Sequence, residues 1–173
     1  NRWWPAERFA AVAHSLSLNH GAKVFLIGAG KDKKAIEGTM KYMGSDIGAV
    51  SLLDQPLDEL KAFIAQSHLV IGNDSGPMVI ADAFDVPNLT FVGPTDWREY
   101  HAEPDSFHRV VQSPTSDMRD ITLESATSEL DVILLEWRWP ILGRNSGDIS
   151  TDDPNFQSDL LRQIQLLLHY KEK

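Results

Sequence analysis

Apolar residues recur along this chain in two rhythms that alternate from segment to segment. Phe9, Val12, Ala13 and Leu16 repeat at helical spacing behind Pro5, which suits a first turn. A helix is therefore predicted over about residues 5–18, stopped by Asn19-His20-Gly21. Lys23-Val24-Phe25-Leu26-Ile27 follows as a short, nearly unbroken apolar run, the pattern of a strand covered on both faces. Residues 32–43 read as helix, Gly48 to Leu52 as a second short strand, and Leu57, Leu60 and Ile64 as the buried stripe of another helix. His68-Leu69-Val70-Ile71 is a strand, Val79 to Phe84 is helix-prone, and Asn88-Leu89-Thr90-Phe91-Val92 behind Pro87 is one more buried strand. Beyond His108-Arg109-Val110-Val111 the rhythm weakens. Residues 113–128 read as polar loop, Glu129 to Trp137 as helix, and Trp139 to Asp153, rich in Gly, Pro, Asn and Asp, as loop again. Leu160, Leu161, Ile164, Leu167 and Leu168 then form one stripe of a predicted final helix over about residues 156–171. That stripe needs a surface to cover, on this domain or on a partner domain.

Short apolar strands alternating with helices imply an α/β domain: a Rossmann-like parallel sheet with helices on both faces. Residues 1–112 would form its core and 113–173 an extension carrying a loop and the final helix. In such sheets ligands bind above the carboxyl ends of the strands, and three polar glycine turns, at 28–30, 72–76 and 93–96, fall at that edge. The central one is Gly72-Asn73-Asp74-Ser75-Gly76-Pro77-Met78, between a strand and a helix. Such a turn points the first N–H groups of the helix at whatever lies above the sheet, which favours an anion. Asp74 or Ser75 as N-cap, with Pro77 in the first turn, accounts for the same residues without a ligand.

Composition narrows the partners. The chain has 173 residues, 42% hydrophobic and 24% charged, enough for one packed soluble domain. A formal net charge of −9 argues against a nucleic-acid partner and against general attraction to anionic lipid. With no cysteine there is no disulfide, thiolate metal site or Cys nucleophile. No apolar run is long enough for a transmembrane segment, and the cytosol is the default compartment. The opening on Asn1, directly ahead of a helix, suggests a fragment of a longer protein.

Three of these stretches, in their order, resemble glycosyltransferase family nine, the lipopolysaccharide heptosyltransferases. Arg2-Trp3-Trp4-Pro5 looks like that family's basic-x-Trp-Pro opening, and Gly72 to Met78 resembles its Asp-Ser/Thr-Gly donor signature. Val86 to Asp96 is similar to the strand and Gly-Pro-Thr turn that follow it, so the likeness covers about residues 1–98. It implies the C-terminal half of a GT-B glycosyltransferase, the half that binds the nucleotide sugar. The implied reaction is metal-independent, inverting transfer of heptose or a related sugar from an ADP-sugar to lipopolysaccharide core. ADP-sugar is then a substrate and no cofactor or metal is expected. Acceptor site and catalytic base would lie in an N-terminal domain absent from this sequence, leaving a fragment inactive alone. The bacterial protein would be cytoplasmic, at most peripheral at the inner face of the inner membrane.

The resemblance also assigns roles. Such a transferase must neutralise a departing diphosphate with N–H groups, a helix dipole and a cation. Ser75, Gly76 and Pro77 fall on the phosphates, and Arg2 matches the basic residue that reaches them. Asp74, being acceptor-only, suits sugar hydroxyls, with Thr95 and Asp96 closing the sugar side. Gly28, Gly30, Asp32 and the stretch from Leu53 to Leu57 fall on the nucleoside, the last explained equally well as a plain loop. Ordinary turn, cap and loop roles explain Asp32, Asp74, Thr95 and Asp96 equally well, and Arg2 would serve as an exposed terminal residue. Three positions depart from the family pattern. Val79 stands where His is usual, Asp82 where a small apolar residue is usual, and Gly30 where an acidic side chain commonly meets the ribose. Val79 and Gly30 motivate one alternative, a degenerate GT-B domain with a binding or assembly role, and Gly28-Ala29-Gly30 motivates another, a different Rossmann-type nucleotide-binding domain. Asp152-Asp153 has the composition of a carboxylate metal site or, more simply, of a solvated loop.

Overall fold

The computed structural model describes residues 3–45, 47–101, 103–136 and the backbone of 163–167. The elements run α1 (Ala6–His20), β1 (Lys23–Gly28), α2 (Lys33–Met43), β2 (Val50–Leu53), α3 (Leu57–Ala65), β3 (Leu69–Asn73), α4 (Gly76–Ala83), β4 (Asn88–Val92), β5 (His108–Gln112), α5 (Leu123–Glu136) and β6 (Gln163–Leu167). The six strands form one sheet in the order β2-β1-β6-β3-β4-β5, every pair parallel. The α/β reading of the sequence holds.

Burial shows why the strands read as unbroken apolar runs: successive side chains enter two different cores. Val24, Leu26, Leu69, Ile71, Leu89 and Phe91 face the larger core, closed by α1, α2 and α5. Ile27 and Val70 face the smaller core, closed by Ile64 of α3 and by Met78 and Ala81 of α4. In the larger core Trp4 stacks on Phe91 with ring centroids 4.1 Å apart and meets Phe9 edge-on at 4.9 Å. Each buried ring contributes about 2–3 kcal/mol through the area it removes from water. The N-terminal segment is thereby fastened under the end of β3.

Element boundaries differ from expectation for local reasons. The first helix continues through Asn19 and His20, and Gly21 ends it in the left-handed region at φ 63°. Residues 113–128 are not all loop, because α5 starts at Leu123. The Thr122 hydroxyl accepts from Ser125 N at 3.0 Å and caps that start, while the polar Ser and Thr residues lie on the outer face. Ala126, Leu130 and Ile133 are buried, and α5 contributes them to the larger core.

The predicted final helix is corrected over residues 163–167, which run as β6 between β1 and β3. Two neighbouring strands offer their N–H and C=O groups there, and Gln163-Ile164-Gln165-Leu166 alternates as well as it follows a helical stripe. Ladder pairing on both sides overrides the local 3.6 rhythm. The rest of 156–171, the 139–153 loop and Asp152-Asp153 lie outside the described residues. Among the described residues no helix is long and apolar enough to cross a membrane.

Candidate functional site

All five residues of β3 are buried, and the strand delivers its last side chain, Asn73, to the carboxyl edge. Asn73 Oδ1 accepts from Trp4 N at 3.0 Å, and Asp74 N donates to Phe91 O at 2.8 Å, so the turn is tied to the N-terminal segment and to β4. Ser75 takes the N-cap position of α4 in extended conformation, yet its hydroxyl makes no cap bond. Ser75 Oγ and Asn73 Nδ2 are both buried with no hydrogen-bond partner among the described residues. Leaving such groups unmet is expensive, about 1–3 kcal/mol each. Gly76 is exposed at the helix start, and a Cβ added there meets nothing within 4 Å. The first turn of α4 thus presents open backbone at its positive end beside two unmet polar atoms.

Asp74 is held from two sides. Thr95 Oγ1 donates to its Oδ2 at 2.6 Å, and His101 Nε2 lies 3.3 Å from its Oδ1. The other ring nitrogen of His101 is 2.7 Å from Asp82 Oδ2, and Asn88 Nδ2 donates to Asp82 Oδ1 at 2.7 Å. Thr90 Oγ1 donates in turn to Asn88 Oδ1 at 3.3 Å. The chain Thr90-Asn88-Asp82-His101-Asp74-Thr95 therefore runs from inside β4 to the surface turn. The His101 side chain is 2% exposed. Burial alone would lower its pKa, but hydrogen bonds and charge from Asp74 and Asp82 outweigh that and raise it to about 9.

On the other side of α4, the β1 turn binds its own carboxylates. Asp32 Oδ2 accepts from Ala29 N at 2.8 Å and Asp54 Oδ1 from Gly30 N at 2.6 Å. Asp32 is fully buried, turned onto its own loop. Asp54 sits at φ 53°, a left-handed conformation that Asp tolerates better than most residues. A cleft of about 270 Å³ opens here, lined by Gly28, Ala29, Asp54, Gln55, Leu60 and Pro77. It joins a residue predicted for the nucleoside, Gly28, to one predicted for the phosphates, Pro77. Leu53 packs partly against the larger core and Leu57 is exposed, and neither lines the cleft. Thr95 and Asp96 border a separate open hollow with Trp97, Arg98 and Gln112. Asp96 there accepts from Arg98 N at 3.1 Å, capping the short turn Trp97–Glu99. Arg2 lies outside the described residues. Among the described residues no group of three or more His, Asp or Glu side chains is arranged to hold a metal ion.

The model of glycosyltransferase family 9 (heptosyltransferase) matches residues 1–126. The chain belongs to that family. It is 30% identical over 95 residues to lipopolysaccharide heptosyltransferase 2 of Salmonella typhimurium, covering 53% of this chain and 27% of that protein. It also superposes on the structure of E. coli ADP-heptose lipopolysaccharide heptosyltransferase II with a TM-score of 0.67 at 25% identity, covering 79% of this chain and 43% of that one. Two structures of E. coli heptosyltransferase WaaC, one with ADP-2-deoxy-2-fluoro heptose and one with ADP, share the fold at 20% identity. Their TM-scores are 0.60 and 0.62, each comparison covers 76% of this chain, and they cover 39% and 40% of the WaaC chains. The chain thus spans well under half the length of these relatives.

The sequence marks the central turn between β3 and α4 but not His101, which braces it. Asp54 and Gln55, inside the 53–57 stretch expected along the nucleoside, line the cleft. His101 reaches Asp74 and Asp82 from 27 and 19 residues away. The available signal was Asp82 itself, an acidic residue in an otherwise apolar helix, which implies a buried partner.

Proposed function

We propose that this chain is the donor-binding half of a family 9 glycosyltransferase that takes heptose or a related sugar from an ADP-sugar. The observation that carries the reading is the cleft lined both by Gly28 and Ala29 of the β1 turn and by Pro77 of α4. A nucleoside entering beside Gly28 and Asp54 would lay its diphosphate against the first turn of α4. The Gly76 N–H, the helix dipole and the Ser75 hydroxyl would meet it there, since Pro77 has no N–H and Met78 N already donates to Ser75 O. Arg2 is assigned to the same diphosphate by its place in the family motif. Asp74, Thr95 and Asp96 would stand on the sugar side, while Asp32 holds the β1 turn through Ala29 N and Leu53 and Leu57 lie outside the cleft. As leaving-group charge develops, donors already in place stabilise it without a metal ion, the requirement for inverting transfer in this reading.

Acceptor binding and the base are assigned to an N-terminal domain, with lipopolysaccharide core as acceptor at the cytoplasmic face of the inner membrane. One observation favours a weaker, non-catalytic version of the same site: Val79, in the first turn of α4, is 38% exposed and offers no polar group to a sugar or phosphate. Calorimetric titration of the folded chain with ADP and with an ADP-sugar decides between them. Saturable heat with both supports the donor reading. No heat at millimolar ligand, with the fold intact by circular dichroism, removes it, and preference for NAD or UDP-sugars reassigns the cleft.

A further inference from the structure

We propose that His101 is a positioning residue of the donor site: held as a cation between Asp74 and Asp82, it cancels carboxylate charge beside the first turn of α4 and lets a diphosphate settle there. This rests on the donor reading above and adds to it a residue from outside the central turn.

The problem it solves is set by Asp74. A carboxylate at a helix N-terminus is itself favourable, but it opposes a second anion brought to the same end. Asp74 and Asp82 have side chains only 10% and 11% exposed, so water screens their charge poorly. The His101 ring has a carboxylate oxygen in front of each nitrogen, at 2.7 and 3.3 Å. A neutral imidazole carries one N–H and would set its lone pair against the other carboxylate, whereas the imidazolium donates to both. The geometry therefore selects the charged form, and its pKa of about 9 is consistent with that.

The arrangement is also oriented from both ends, since Thr95 takes the second oxygen of Asp74 and Asn88 the second oxygen of Asp82. The titratable groups acting on His101 are Asp74, from the β3–α4 turn, and Asp82, from α4. On its own segment, Arg98 and Asp96 pair with each other at 3.1 Å in solvent. His101 reaches α4 from the segment that follows β4, so the same contact holds Thr95 and its neighbours over the central turn.

The test is ADP affinity by calorimetry for the wild-type chain, for His101→Gln and for His101→Gln/Asp74→Asn, each checked for folding by circular dichroism. Measurements start at about pH 7.5, where the terminal phosphate is already ionised, and continue past pH 9. Wild-type affinity should stay level and then fall roughly tenfold as His101 loses its proton, the size of one partly screened charge interaction. His101→Gln should be weaker by a similar factor from the start and lack that fall. The double variant should regain affinity, because it removes the carboxylate nearer the first turn of α4 and restores the net charge of the Asp74-His101-Asp82 group, an outcome that loss of mere structural support would not give. The wild-type profile and an NMR titration of the His101 ring need no variant to fold. Unchanged affinity and an unchanged high-pH fall in His101→Gln, or no recovery in the double variant, overturn the inference while the donor reading stands. A folded wild-type chain that binds no ADP overturns both.

Discussion

The backbone N–H of Trp4 donates to the Asn73 side chain at 3.0 Å, joining two residues 69 positions apart. The indole Nε1 of the same Trp4 donates to Ile121 O at 2.8 Å, so one residue ties the N-terminal segment to the central turn and to the entry of α5. Trp4→Phe keeps most of the stacking on Phe91 and removes one of the two donors to the Ile121 carbonyl, which Arg8 Nη1 still meets. It should lower unfolding free energy by about 0.5–1.5 kcal/mol. Trp4→Ala also opens a cavity and should lose about 3–5 kcal/mol. Urea denaturation at constant m-value checks both.

Gly76 offers a separation of binding from folding. Because a Cβ there meets nothing within 4 Å, Gly76→Val should leave the unfolding midpoint within a few degrees of wild type. It should weaken ADP by roughly tenfold or more by holding phosphate off the backbone N–H groups. Thermal unfolding with calorimetry checks the pair, and unchanged ADP affinity would take the central turn out of the site.

At Gly28 the opposite result is expected. A Cβ there would lie 2.8 Å from Asp32 Cβ and 3.0 Å from Ile36 Cδ1, neither of which can retreat from the packed start of α2. Gly28→Ala should destabilise by about 1–3 kcal/mol, read by chemical denaturation, and should disturb the cleft at its nucleoside end.

Stability should depend on pH through His101. Its pKa is raised in the fold from 6.5 to about 9, so the contribution is fully present below the unfolded value and lost as pH rises through about 9. The full contribution is roughly 2–4 kcal/mol. Unfolding free energy should therefore drop between neutral and alkaline pH, and His101→Gln should flatten that part of the curve. Denaturant titrations at stepped pH measure it.

These predictions also show where the sequence speaks and where it falls silent. The strands were legible because Val24 to Ile27 and Leu69 to Ile71 are apolar on both faces, which a sheet covered on both sides requires. The central turn was legible from glycine and capping chemistry. His101 was not, because its segment has no periodicity and its partners lie on other elements. Asp54 lies in the 53–57 stretch expected along the nucleoside, but its bond to Gly30 N was not legible, because it follows from a left-handed backbone. The last stripe misled because Gln163 to Leu167 satisfies two rhythms, and only the gap between β1 and β3 selects one.

The Asp82-His101-Asp74 contact constrains the order in which such a site can be assembled. Asp82 introduced alone would bury a carboxylate beside Asp74 with no cation between them, a change that folding resists. His101 introduced first needs only Asp74 as a partner. A route that gains the histidine before the second acid therefore never carries two buried carboxylates without a cation between them, whereas the reverse route passes through a less stable chain. Loss of His101 from the present chain should likewise cost more stability than loss of Asp82.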